Sequence, residues 1–314
     1  MYPEDLALYR TFDTKGKEIT GYARAGDVYM DYSGGRGSPL FGHSPDFGYW
    51  QYGAIWYGDE LWNGGNVGDY NKDGTVNDDL DKLQYNDKEL KVSRFQPWTK
   101  IIHPDYGEAE VGGWNPKFWS QNPPPELLEI WAEKEARFNL MLAASLPHVV
   151  MADPKVTNQG DEYTISVEVE NQGVIPTALK QAQLVKIVRP DTVSMVFPAG
   201  MTSAMALGGR GGRGGGRGGG GGGGRGGDAP AGMGEPGGRG GRGAEGAPAA
   251  APDKVTIVEP AGRLGVTIDR LTGSEKKPVT FKIKLNGISG TECTLRYAST
   301  RGGVVEKKIF IGKK

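Results

Sequence analysis

DFGYWQYGAIWYGDEL, from Asp46 to Leu61, is the stretch whose reading decides the first half of the chain. It is dense in aromatic side chains, runs into an apolar segment of Ala54, Ile55, Trp56 and Tyr57, and ends on a carboxylate, Glu60. Such a segment reads as a buried strand carrying an acid out of a core. Ionised carboxylates are rarely buried without a partner. Glu60 therefore either closes a salt bridge or hydrogen-bonded turn, or sits at a strand end facing a cleft. Composition alone favours the structural role, because most acids near strand ends do no chemistry.

Upstream of this stretch, residues 1 to 12 read as a short helix with Leu6, Ala7, Tyr9 and Phe12 at helical spacing, followed by a turn at Thr14 to Lys17. The segment from Tyr22 to His43 contains Tyr29, Tyr32 and the run Ser33-Gly34-Gly35-Arg36-Gly37-Ser38. Glycines permit left-handed turns and close approach to a ligand. Without a following Lys-Ser/Thr the run is no phosphate loop.

Downstream, GDYNKDGTVNDDLDKL begins at Gly68. Asp69, Asn71 and Asp73 followed by Gly74 match the opening of a calcium loop, in which oxygen ligands alternate and the glycine allows a sharp turn. Thr75 would add its backbone carbonyl. The twelfth position is Leu80, with Asp79 and Asp81 on either side, where a bidentate Glu is expected. The alternative is an acidic Asx-turn leading into a helix near Asn77. Residues 94 to 120, rich in Trp, Pro and Gly, read as a wrapped, ordered loop whose aromatics are covered. Within it Glu108 and Glu110 project to one side of a short extended piece, as acids on a solvated face commonly do.

Pro125 opens ELLEIWAEKEARFNLMLAASL. Leu127, Leu128, Trp131, Phe138, Met141, Leu142 and Ser145 form one stripe against a core, leaving Glu129, Glu133, Lys134 and Arg137 to water. Pro147 stops the helix. Beyond Asp153 the period changes to two: Tyr163, Ile165, Val167 and Val169 alternate with polar residues, as do Val279, Phe281, Ile283 and Leu285. These are half-buried antiparallel strands. Further strands are expected near 185–189, 193–197, 255–258, 264–268, 294–297 and 308–311, which together give an Ig-like β-sandwich over 149–314. Its fold implies no activity.

The Gly/Arg-rich run from 208 to 252 cannot bury enough apolar surface to offset chain entropy and is expected to be disordered. Its arginines suggest RNA association. The run lacks interleaved aromatics and contains Asp228, Glu235 and Glu245, so a solvated insertion is the better reading.

The Asp46-aromatic pair, the glycine, and an apolar run ending in Glu60-Leu61 together resemble the final active-site strand of the zinc carboxypeptidases of the M14 type. Asp46 and Glu60 lie fourteen positions apart, as the corresponding residues do there. HPDYGEAEVGGWNPKFWSQNPPPELLEIW, from His103 to Trp131, resembles the closing segment of bacterial, exported members. The resemblance spans roughly residues 1 to 148. It implies that Glu60 is the general base acting on zinc-bound water, that Asp46 and Tyr32 lie on the substrate side, and that the substrate is a peptide or protein. The family's zinc ligands are a His-x-x-Glu pair and a distant His. His43, His103 and His148 are followed by Ser-Pro-Asp, Pro-Asp-Tyr and Val-Val-Met, so none fits. Residues 1–148 then look like the C-terminal half of the catalytic domain, inactive alone; a fragment of a longer reading frame is the simplest explanation, and a separately encoded zinc-bearing N-terminal half as partner is the alternative. The fold class expected is a partial α/β carboxypeptidase domain followed by the all-β sandwich.

Bulk properties limit the alternatives. A formal net charge of −1 gives no global attraction for nucleic acid or an anionic membrane. The sole cysteine, Cys293, rules out an intrachain disulfide framework and reads as a small residue in a strand. The N-terminus has early acids and no apolar core of a secretory signal, whereas the resemblance points to a secreted or periplasmic protein. A competing function is a non-catalytic carbohydrate- or surface-binding module, suggested by the sandwich, the calcium-like loop and the many Trp and Tyr residues.

Overall fold

The computed structural model describes residues 1–22, 42, 44–59, 61–206 and 252–313. It is a mixture of helices and antiparallel sheets without a barrel. Helix α1 spans Pro3–Thr20 in one piece. The turn expected at Thr14 to Lys17 is absent. Gly16, the weakest helix former there, is kept because the ring of Phe138 packs where its Cβ would stand, 2.9 Å away. The helix ends at Gly21 in the left-handed region, the usual C-terminal stop.

A helical turn, Ser44–Asp46 continuing as a π-helical Phe47–Gln51, opens the central stretch. Ala54 to Tyr57 is not the strand expected from its composition. A strand exists only by pairing with a neighbour. Here the backbone is bonded instead to a side chain, the Tyr9 hydroxyl, which accepts from Trp56 N at 3.0 Å and donates toward the Trp56 carbonyl at 3.4 Å. Among the described residues of 1–148 the paired strands are antiparallel, β1 (Phe95–His103) and β2 (Gly107–Trp114), so no parallel sheet is formed there. This hairpin replaces the wrapped loop expected over 94–120. Glu108 and Glu110 lie exposed on β2, as expected. Trp98 and Tyr106 contradict the expectation of covered aromatics, being 62% and 82% exposed. Trp114 does stack on Trp119 at 4.3 Å, and the Trp62 indole donates to the Trp119 carbonyl at 2.5 Å.

Helix α2 covers Asp79–Glu89, and α3 covers Leu128–Ala144 after a 3-10 turn at Pro125–Leu127. The expected stripe of α3 is buried at Trp131 and Phe138 and faces α1, whereas Leu128 is exposed. Arg137 pairs with Glu133 in water at 2.6 Å.

The remaining strands are β3 (Val149–Met151), β4 (Lys155–Gln159), β5 (Glu162–Asn171), β6 (Asp191–Val196), β7 (Val255–Glu259), β8 (Gly265–Asp269), β9 (Lys276–Leu285), β10 (Gly290–Ser299) and β11 (Gly303–Gly312). One sheet runs β3-β5-β9-β7 with β4 also on β5; the other runs β11-β10-β6-β8. Both are antiparallel. Alternate residues of the two sheets meet in one core, with Ile165, Val169, Phe281 and Ile283 from the first and Val193, Leu295 and Tyr297 from the second. Cys293 is buried there, and burial pushes its thiol up to about 12, so it is inert. The strand expected at 185–189 is instead irregular chain following a short helix α4, Lys180–Leu184. The expected disorder of 208–252 falls almost wholly outside the described residues, which resume at Pro252.

Candidate functional site

The central stretch is held by three elements. From α1 come Asp5, Tyr9 and Asp13, successive members of one helical face. Asp5 is buried and accepts three hydrogen bonds: from the Tyr49 hydroxyl at 3.0 Å, and from the backbone N–H groups of Lys180 and Gln181 at 2.9 and 3.0 Å. One carboxylate thus joins the aromatic turn to the first residues of α4. Four residues on, Tyr9 fixes Trp56 as described, and burial pushes its own hydroxyl up to about 12. Next, Tyr57 donates toward Asp13 Oδ1 at 3.0 Å and the Tyr9 carbonyl at 3.1 Å, while its ring packs edge-on against Phe138 of α3 at 5.2 Å.

Three acids with raised carboxyls lie along this path, two of them, Asp59 and Glu135, close enough to repel one another. Asp13 Oδ2 is buried without a hydrogen-bond partner, and burial pushes the carboxyl up to about 6 against the opposing effects of Tyr57 and Lys17. Asp59 is raised by burial and bonded to the Asn139 side chain. Glu135 on α3 is buried and also raised, first by burial and then by repulsion from Asp59; Tyr22 and Lys134 oppose the shift, and its Oε1 has no partner. Sequence reading missed Asp13, Asp59 and Glu135. Their signal was faint: Asp13 and Glu135 are acids at inward helical positions, and Asp59 is an exposed acid in the aromatic stretch.

Among the residues singled out from sequence, Glu60 and Tyr32 lie outside the described residues. Asp46 is half-buried at the start of the π-helical turn, where its Oδ2 accepts from Gly42 N at 2.6 Å. His103 sits at the hairpin end of β1, accepting from Asp105 N at 3.1 Å with its ring against Tyr106, and His148 donates its backbone N–H to Asn171 in the β-rich region. Among the described residues no three His, Cys, Asp or Glu side chains form a metal-holding group.

The calcium-like loop is closed by its own oxygens. Asp69 accepts from the N–H groups of Asp73 and Gly74 at 3.0 Å each, Asn71 Oδ1 accepts from Asp73 at 2.9 Å, and Asp73 Oδ1 accepts from Thr75 at 2.8 Å. The Thr75 bond holds the Asp73 carboxyl below its ordinary value. Gly74 has φ of 92°, the sharp turn this position requires. So Asp69, Asn71, Asp73 and Thr75 come together. Asp79 stands apart on the first turn of α2, 3.9 Å from Lys82. Asp81, which sequence reasoning had given no role, is fully buried and turns back to accept from Asn71 N at 2.9 Å and Asp78 N at 3.2 Å.

The β-rich region corresponds to a family model described as "Domain of unknown function (DUF8731)", which matches residues 148–310. The chain belongs to this DUF8731 family. The match begins at His148, just ahead of β3, and ends within β11. No curated protein matches the chain. No helix among the described residues is long and apolar enough to cross a membrane.

Proposed function

We propose that residues 1–148 are the base-bearing part of a zinc carboxypeptidase-type catalytic domain that hydrolyses C-terminal peptide bonds, and that the two sheets after it form an Ig-like sandwich. The observation that carries this reading is the fourteen-residue spacing of Asp46 and Glu60 across an aromatic turn, followed by the His103–Trp131 run. Glu60 is the general base, and Tyr32 and Asp46 belong to the substrate side. Supporting the reading, the chain at Trp56 and Tyr57, shortly before Glu60, is fixed by the Tyr9 and Asp13 side chains of α1. A base must be held to within about 0.5 Å of its working position, and buried second-layer contacts of this kind do that.

Because no histidine here fits the metal, the zinc is held by residues outside these 314, and this chain alone is inactive. Its partners are that zinc-bearing half and a peptide or protein substrate, in a secreted or periplasmic setting. The loop at Asp69–Thr75 takes calcium as a structural ion. The test is Glu60→Gln in the chain joined to a His-x-x-Glu-bearing segment. Loss of general-base catalysis lowers kcat by about 10³-fold with zinc content unchanged, whereas a loss below tenfold overturns the assignment.

A non-catalytic binding surface is a second reading, favoured by Trp98, Ile102 and Tyr106 standing exposed on one hairpin. Retention of the chain on immobilised polysaccharide, abolished by Trp98→Ala, would support it over the first.

A further inference from the structure

We infer that the β-rich region is a built-in clamp for the Tyr49–Asp59 segment, with Arg301 and Gln181 as the positioning residues. Its bearing on catalysis rests on the reading of Glu60 as the base.

Helix C-termini leave carbonyls to be met from outside the helix, and the π-helical turn Phe47–Gln51 runs out beside several such acceptors. Three of the nearby acceptors are satisfied from the other half of the molecule. Gln181 Nε2 donates to the Trp50 carbonyl at 2.7 Å. The two terminal nitrogens of Arg301 donate to the carbonyls of Tyr52 and Gly53, nearly 250 residues away in sequence, and the guanidinium lies over the Tyr52 ring at 4.9 Å. A planar fork that grips two adjacent carbonyls while stacking on a ring is a task for arginine that lysine cannot reproduce.

The arginine is itself held. It sits in the tight turn between β10 and β11, where Gly302 N donates to Ser299 Oγ at 2.9 Å and Gly303 has φ of 75°. Thr300 Oγ1 accepts from Arg189 N at 3.0 Å. On the opposite side, Gly53 has φ of 59° and its missing Cβ would strike the backbone of Ala182, itself fully buried. Asp5 completes the joint by accepting from Lys180 and Gln181 while holding Tyr49. The docking is therefore polar, close and aimed at the residues that lead into Ala54–Asp59.

Hydrogen exchange of the full chain tests this directly, since Tyr52, Gly53, Ala54 and Trp56 have bonded amides in that segment. In Arg301→Gln, peptides covering 47–59 exchange at least tenfold faster while those from β5 and β9 are unchanged. Arg301→Lys restores protection only in part. Gln181→Ala, a milder change on the same joint, gives the same pattern at smaller size. Glu4→Gln, which removes only the rim pair with Arg270 at 3.1 Å, leaves 47–59 protected. Unchanged exchange over 47–59 in both Arg301→Gln and Gln181→Ala overturns the clamp, as does uniform acceleration across the chain. In an assembly that cleaves peptides, Arg301→Gln lowers kcat about tenfold with KM held within twofold. If no assembly cleaves peptides, the catalytic reading fails, and the exchange result still decides the clamp.

Discussion

Asp5 and Asp13 lie about two turns apart on α1 and meet opposite fates. Asp5 is surrounded by donors from the aromatic turn and α4. Asp13, 7% exposed, receives Tyr57 on one oxygen and nothing on the other. Its carboxyl is pushed up to about 6 by burial, above the roughly 3.9 of a free aspartate. Between those values the folded chain binds more protons than the unfolded one. The stability tied to this group is fully present below about pH 4 and is lost as pH rises through about 6. Denaturant unfolding at several pH values should therefore show the wild type losing stability between pH 4 and 7. Asp13→Asn should flatten that dependence by up to about 3 kcal/mol. Tyr9→Phe tests the neighbouring bond. It leaves the Trp56 N–H without its partner and should cost about 1–2 kcal/mol, with faster exchange confined to the segment around Trp56.

At the scale of elements, the loop ahead of α2 shows what sequence can and cannot supply. The alternation of Asp69, Asn71 and Asp73 before Gly74 was legible because a calcium loop and an Asx-turn demand the same residues. The place of Asp81 was not, because it depends on α2 folding back so that a helix residue closes the loop. Asp78 caps α2, its Oδ1 accepting from Asp81 N at 2.8 Å while Asp81 returns a bond to Asp78 N. Replacing Asp78 by Ala should cost about 1 kcal/mol and fray the start of α2, visible as a loss of helical circular dichroism. Calcium chloride should raise the Tm and chelation should reverse it, with Asp73→Asn losing the response; an unchanged Tm in calcium assigns the loop to hydrogen bonding alone. The period-two strands β5 and β9 were equally legible, since each has one face in the core. Ala54 to Tyr57 misled because an apolar aromatic run describes burial, whereas a strand also needs a partner for its backbone.

For the whole molecule, composition and period marked the change of character near residue 148, where the family match also begins. They could not show that the two parts are joined through Asp5, Gln181, Arg270 and Arg301, because those contacts link residues far apart in sequence. An arginine in a β-turn carries no mark of the carbonyls it will meet. The proposed chemistry has the same dependence on distant parts, since a general base at Glu60 acts only on water bound to a metal. The decisive measurement is zinc content and C-terminal peptide hydrolysis of the 314-residue chain beside the same chain joined to a His-x-x-Glu-bearing segment. Zinc and hydrolysis are expected only in the joined form; stoichiometric zinc and hydrolysis by the 314-residue chain itself would contradict the account.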